Sequence, residues 1–257
     1  MSSSTSSTST ITRAIVTGHT RGLGAALAEQ LLARDIAVLG LSRTTNVALA
    51  GQFPQNLQQV ELDLANSADV AHWLSGDTLS QFVDGANTVL LFNNAGTVQP
   101  IGPAEGQNVT AIATAVSLNV ATPLMLASAV AATSVSATDR RIVHISSGAA
   151  RNAYAGWSVY CATKAALDHH ARAVALDANR ALRICSLAPG VVDTDMQAQI
   201  RSSGKEQFPL REKFEELKRN GQLVSPEQCA AQLIDYTLSE AFGHTPVADI
   251  REVAQRG

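Results

Sequence analysis

The sequence predicts a single-domain α/β fold, a doubly wound parallel sheet flanked by helices on both faces. Three observations predict it. Short aliphatic or β-branched runs recur at residues 14–16, 36–39, 60–62, 89–92, 142–145 and 182–185, and near-continuous apolar runs of that length suit strands buried on both sides. Longer Ala- and Leu-rich stretches lie between them, 23–34, 109–132 and 158–178 among others, with apolar residues at helical spacing. Strand and helix therefore alternate along the chain, the pattern of a Rossmann-like sheet.

The bulk numbers agree with one domain. Of 257 residues, 46% are apolar and 16% charged, enough for a sizeable core. No Pro/Gly/Ser-rich linker divides the chain after residue 11. A net charge of −3 gives no basic footprint for nucleic acid or an anionic membrane, so the partner expected is a small molecule. Residues 1–11 begin MSSSTSSTST, too polar to offset the entropy of ordering, and are expected to form a disordered tail ahead of the catalytic domain at 12–257. No secretory signal and no apolar stretch suited to a membrane span is read, which places the protein in the cytoplasm. Cys161, Cys185 and Cys229 are widely spaced and odd in number, so neither a disulfide framework nor a zinc site is expected. His169 and His170 are sequence neighbours, which points them apart on a helix, and no metal is expected.

In this fold, ligands bind at the carboxyl ends of the strands. After the first strand comes Thr17-Gly18-His19-Thr20-Arg21-Gly22-Leu23-Gly24. Glycines there permit positive φ and close approach of backbone to a pyrophosphate, while a helix N-terminus favours the negative charge; a tight strand-to-helix turn would need the same glycines. The second strand ends Gly40-Leu41-Ser42-Arg43, where an acid would hold the ribose hydroxyl of NAD. Arg43 stands there instead, and with Arg21 it suits the 2′-phosphate of NADP. At the third strand's end Asp63 can accept from an adenine amino group or serve a helix N-terminus. The fourth strand runs into Asn93-Asn94-Ala95-Gly96, a turn or a small-residue floor for an adenosine.

The fifth strand ends in Ser146-Ser147-Gly148, and the following helix carries Tyr160 and Lys164. Their i,i+4 spacing puts phenol and ammonium on one helix face. A neighbouring cation favours phenolate, so Tyr160 is expected below the usual tyrosine pKa. A surface Tyr/Lys pair would have the same spacing.

Taken together, these residues resemble the short-chain dehydrogenase/reductase family over nearly the whole chain after the tail. The matching positions are the TGxxxGxG turn at Gly18, Gly22 and Gly24, Asp63, the Asn-Asn-Ala-Gly segment, Asn119, Ser147, Tyr160/Lys164 as YxxxK, and Pro189-Gly190 followed by Thr194. The resemblance implies an NADP(H)-dependent enzyme interconverting a ketone and an alcohol. Thr20, Leu23, Ser42, Ala95, Gly96 and Val192 would join the cofactor contacts. Tyr160 would protonate the developing alkoxide, Ser147 would hydrogen-bond the carbonyl oxygen, Lys164 would bind the nicotinamide ribose, and Asn119 would hold a water that returns the proton through Lys164. A homodimer or homotetramer is implied as well, with Ala162, Ala165 and Ala166 allowing close helix approach.

Substrate choice is expected from residues 194–223, a run with Phe208, Phe214 and an amphipathic Leu210–Leu217 that is long enough for a lid, and from the loop before Tyr160. Tyr154, Trp157 and Met196 add flat apolar area there, suited to an aromatic α-diketone such as benzil. Asp249 sits where pteridine-reducing members of the family carry an anchoring acid, making a pteridine carbonyl the second reading. A noncatalytic NADP-binding sensor is the alternative of another class.

Overall fold

The computed structural model describes residues 10–177 and 179–253. Strand β1 (Thr12–Thr17) lies inside the sheet, and its Ala14, Ile15 and Val16 are wholly buried. On one side follow β2 (Ala37–Ser42) and β3 (Leu57–Glu61); on the other follow β4 (Thr88–Asn93), β5 (Asp139–Ile145) and β6 (Leu182–Ala188). A seventh strand, β7 (Val247–Asp249), closes that edge. All pairings are parallel, and the order is β3-β2-β1-β4-β5-β6-β7. Each of the six apolar runs forms a strand. The seventh was not expected, because three residues paired through Ser186↔Val247 and its neighbours are too short to show a period.

Helices cover both faces. The elements are α1 (Gly22–Leu32), α2 (Val47–Gln52), α3 (Ser67–Leu74), α4 (Thr78–Val83), α5 (Val109–Val116), α6 (Thr122–Thr133), α7 (Ser158–Ala175), α8 (Asp195–Ser202), α9 (Arg211–Arg219), α10 (Pro226–Leu238) and α11 (Ile250–Val253). One core lies between the sheet and α1 with α10, through Leu27, Leu31, Leu233 and Ile234; the other gathers Leu79, Phe82, Leu126 and Val130 against Leu39 and Leu91. Full burial of a leucine-sized side chain contributes about 1.5–3 kcal/mol, so these two layers contribute strongly to holding helices and sheet together.

Two expectations change at this level. The helical run Val109–Thr133 is, by length and composition, apolar enough to cross a membrane, contrary to the sequence reading. In the fold it is interrupted by a π-helical turn (Ser117–Ala121) and buries Leu126, Ala127 and Val130 against the sheet. The expected tail lies outside the described residues except for Thr10 and Ile11. Ile11 is tied down: its N–H donates to Asn87 Oδ1 at 2.8 Å and its carbonyl accepts from Asn87 and Thr88.

After β3 the chain crosses back to β4 on the far side of β1. The connections leaving the carboxyl ends of β1 and β4 therefore run to opposite sides of these paired strands, which opens a crevice where doubly wound sheets bind ligands.

Candidate active site

The crevice encloses about 1340 Å³ over the carboxyl ends of the strands. Its floor is the glycine turn after β1. A Cβ on Gly24 would lie 2.0 Å from the Gly18 carbonyl oxygen, so glycine is required for α1 to pack on the turn. Arg21, the N-cap of α1, makes no side-chain cap, which leaves first-turn N–H groups for an anion. Thr194 reaches this turn, its Cγ2 3.4 Å from a Cβ built on Gly22. Thr20, Leu23, Ser42, Arg43, Asp63, Ala95, Gly96, Pro189, Gly190 and Val192 all line the crevice. Arg21 and Arg43 are exposed at its rim, and Arg21 Nη1 lies 3.6 Å from Asp195. Asp63 Oδ1 accepts from Ala65 N–H at 3.0 Å.

Asn94 fastens the crevice. Its Nδ2 donates to the Thr17 carbonyl at 2.9 Å, and Thr17 Oγ1 accepts from the N–H groups of Asn94 and Ala95 at 2.8 and 2.9 Å. The ends of β1 and β4 are thus tied through Thr17, a residue quoted in the glycine turn but given no role by the sequence. Asn93 turns inward to the Pro123 carbonyl and to His144.

The proposed chemical groups meet at the end of β5. Ser147 is extended, and its Oγ accepts from Ala149 N–H at 3.1 Å. Ser146 is committed elsewhere, donating to Asp168 Oδ1 at 2.7 Å. Tyr160 and Lys164 face inward on α7, both buried. Lys164 Nζ donates to the Ile145 carbonyl at 2.7 Å and lies 5.8 Å from the centre of the Tyr160 ring. Asn119 sits on the π-helical turn, where Oδ1 accepts from Thr97 N–H at 2.9 Å and Nδ2 donates to the Thr97 carbonyl and Thr163 Oγ1 at 2.8 and 3.1 Å. A Cβ on Gly96 would lie 3.2 Å from Asn119 Oδ1 and 3.7 Å from Lys164 Nζ, so these three residues meet at one point.

The expected acidic shift of Tyr160 is corrected here. Burial pushes its phenol up to about 12, and a hydrogen bond with Ser147 opposes only part of that rise. Burial also brings Lys164 down to about 8, with Asp168 acting upward. Tyr160 is therefore a phenol at neutral pH, able to give a proton, beside a cation whose charge is lost on mild alkalinisation.

Residues 194–223 form a helical excursion, α8 and α9, closed at its base by pairing of Val192 with Val224. It docks on the loop before Tyr160. Phe208, wholly buried, stacks on Trp157 with ring centres 4.5 Å apart and planes at 23°. Gly156 has φ +81°, and a Cβ there would lie 2.2 Å from the Gln207 carbonyl oxygen. Trp157 is only 3% exposed; it is a wall held by Phe208, Phe214, Tyr154 and Tyr160 more than a free surface. Tyr154, Met196, Ile200, Phe214 and Leu217 also line the crevice. Phe208 and Phe214 are legible in the sequence as part of this excursion, and Leu217 as part of its amphipathic segment.

Asp249 lines the crevice but is not a free anchoring acid. Its carboxylate accepts from Arg251 backbone N–H, Nε and Nη2 at 3.0, 2.8 and 2.7 Å.

A sequence model of the family described as short chain dehydrogenase matches residues 12–205. The chain is 37% identical over 245 residues to benzil reductase ((S)-benzoin forming) from Bacillus cereus, covering 93% of this chain and 98% of that protein. It is 31% identical over 242 residues to sepiapterin reductase from Mus musculus, covering 89% and 92%. The crystal structure of a short-chain dehydrogenase/reductase from Burkholderia vietnamiensis superposes with a TM-score of 0.70 at 56% identity, covering 95% and 98%. With the glycine turn, the Ser147, Tyr160 and Lys164 set and these matches in place, the chain belongs to the short-chain dehydrogenase/reductase family, nicotinamide-dependent oxidoreductases of CH–OH and C=O groups.

Proposed function

We propose that the protein is an NADPH-dependent carbonyl reductase that reduces an aromatic α-diketone of the benzil type to the (S)-hydroxyketone. The observation that carries the reading is the meeting of Ser147, Tyr160 and Lys164 at a glycine-floored crevice whose far wall is aromatic. The Bacillus cereus relative named for benzil reduction supports the substrate class.

The crevice fits a dinucleotide: only glycine fits at position 24, and the first turn of α1 is uncapped by any side chain. Gly18, Gly22 and Gly24 would hold its pyrophosphate, Asp63 its adenine, and Arg21 and Arg43 the 2′-phosphate. A hydrogen bond to a charged partner contributes about 1.5–3 kcal/mol, a preference of roughly tenfold to hundredfold per arginine. When bound, the reduced nicotinamide supplies hydride to the carbonyl carbon. Ser147 Oγ orients the carbonyl oxygen. Tyr160 gives its phenolic proton to that oxygen, and the Lys164 ammonium stabilises the phenolate left behind while holding the ribose. Asn119, beside Gly96 and Lys164, supports a water route for the returning proton. Tyr154 and Met196 offer apolar area for the aryl groups, backed by the packed Trp157.

A pteridine carbonyl is the second reading, favoured by the likeness to sepiapterin reductase. The engagement of Asp249 by Arg251 weighs against it.

Initial rates of NADPH and NADH oxidation across benzil, phenyl diketones, simple ketones and sepiapterin test cofactor, chemistry and substrate together. NADPH with benzil is expected to be fastest. Faster turnover of sepiapterin selects the second reading, and no reduction of any ketone removes both.

The proposal extends to assembly and location. Val109 is 78% and Val116 44% exposed on α5, an apolar edge beside α7 suited to a homodimer or homotetramer, which light scattering of the purified protein checks. Three free thiols suit a reducing compartment, the cytoplasm.

A further inference from the structure

One turn beyond Lys164 on the same face of α7 lies Asp168, only 2% exposed. Its Oδ1 accepts from Ser146 Oγ at the end of β5 and from Ser186 Oγ in β6, both at 2.7 Å. One carboxylate oxygen thereby joins α7 to two adjacent strands. Its Oδ2 receives no hydrogen bond. Arg151 Nε is 3.8 Å from it, beyond hydrogen-bond range, on a side chain 34% exposed and so partly screened by water.

Lys164 and Asp168 grip consecutive residues of the strand end. Lys164 Nζ holds the carbonyl of Ile145, Asp168 holds the hydroxyl of Ser146, and the next residue is Ser147. Two opposite charges at i,i+4 on one buried helix face lie close enough to interact, and neither charge is tolerable in a low dielectric without compensation.

We propose that Asp168 is a positioning residue of the site: its carboxylate supplies the buried counter-charge for the Lys164 ammonium and, with Lys164, clamps the Ile145–Ser146 end of β5 so that Ser147 faces Tyr160. The proposal rests on the reading of Ser147, Tyr160 and Lys164 as the reductase machinery. Its electrostatic part agrees with the opposing effects of burial and Asp168 on Lys164. The other ionisable groups around this pair are Tyr160 and His170 on α7, His144 on β5, Cys185 on β6 and Arg151. Burial holds His144 down to about 3 and Cys185 up to about 12, so both are neutral at physiological pH. Tyr160 is neutral there as well, and Asp168 is the one acidic residue of α7.

The test reads Lys164 directly. The chain has four lysines, at 164, 205, 213 and 218, so ¹³C-lysine NMR resolves each titration, with Lys164→Arg identifying the signal. Asp168→Asn is expected to lower the Lys164 midpoint by about one pH unit or more. It is also expected to move the alkaline limb of kcat/KM for ketone reduction down by the same amount, with Asp168→Glu restoring most of both. An unchanged Lys164 midpoint in folded Asp168→Asn overturns the proposal. If that variant does not fold, Asp168→Ser, smaller and neutral but able to accept from both hydroxyls, carries the same expectation and the same refutation. A wild-type protein that reduces no ketone counts against the reductase reading alone, since the lysine titration decides this proposal without turnover.

Discussion

Tyr160 and Lys164 are buried side by side, and burial acts on them in opposite directions because each favours its neutral form: the phenol rises to about 12 and the ammonium falls to about 8. In the proposed reduction, proton donation by Tyr160 depends on charge developing on the substrate oxygen rather than on a preformed phenolate. Tyr160→Phe keeps the ring that packs on Trp157 at 5.1 Å and removes the hydroxyl that carries the proton. It is expected to lower kcat by at least ~10² while NADPH binding, followed by fluorescence, stays nearly intact. Turnover close to wild type would show that the proton comes from elsewhere. The i,i+4 spacing made the pair visible in the sequence, and the strand end in front of it made Ser147 visible. The sign of the Tyr160 shift was not visible, since spacing says nothing of burial. Thr17 and Asp168 were also silent, because their partners lie across the sheet at Asn94 and Ser186.

At the scale of elements, the aromatic wall proposed for the substrate depends on how α8 and α9 dock. Phe208 is the peg: wholly buried, it lies on Trp157 and 5.6 Å from Phe214, while Gly156 lets the chain at Gln207 approach the loop before Tyr160. Phe208→Ala removes the stack and leaves a cavity, a change that costs about 3–5 kcal/mol in a rigid core. Part of that cost falls on docking of the excursion alone. The expected result is a raised KM for benzil with a smaller change for a simple aliphatic ketone, measured by steady-state kinetics on both. Equal effects on the two substrates would mean that the stack supports the fold and not the aryl site. Amphipathic spacing revealed the excursion in the sequence, and alternation of apolar runs revealed six strands. What joins Trp157 to Phe208 was not readable, since their contact spans a loop whose path only the packing decides. The π-helical turn around Asn119 was hidden too, because a one-residue widening leaves the apolar pattern of α5 and α6 unbroken.

For the molecule as a whole, the order of the strands sets which buried groups must stay neutral. Sequence order could not show that β5 lies inside the sheet between β4 and β6, and so could not show that His144, which it carries, has no access to water. His144 is bracketed by Asn93 Nδ2 at 3.1 Å and His170 Nδ1 at 3.0 Å, and its pKa falls to about 3, first through burial and then through repulsion by His170 and Lys164. The unfolded chain binds this proton near the ordinary histidine value of about 6.5. Between these two values the unfolded state holds more protons than the folded state, so the linkage sign is fixed. Stability attributable to His144 is full above about 6.5 and declines as the pH falls toward about 3, by about 1.4 kcal/mol per pH unit. His170, itself lowered chiefly by burial, adds in the same direction. Urea unfolding between about pH 7 and about pH 5, above the range where most carboxylates titrate, should show this slope in the wild type. His144→Gln, which retains hydrogen-bonding groups toward Asn93 and His170, should flatten it. An equal slope in the two proteins would assign the acid sensitivity to groups other than His144, and the neutral histidine inside the sheet would then carry no share of it.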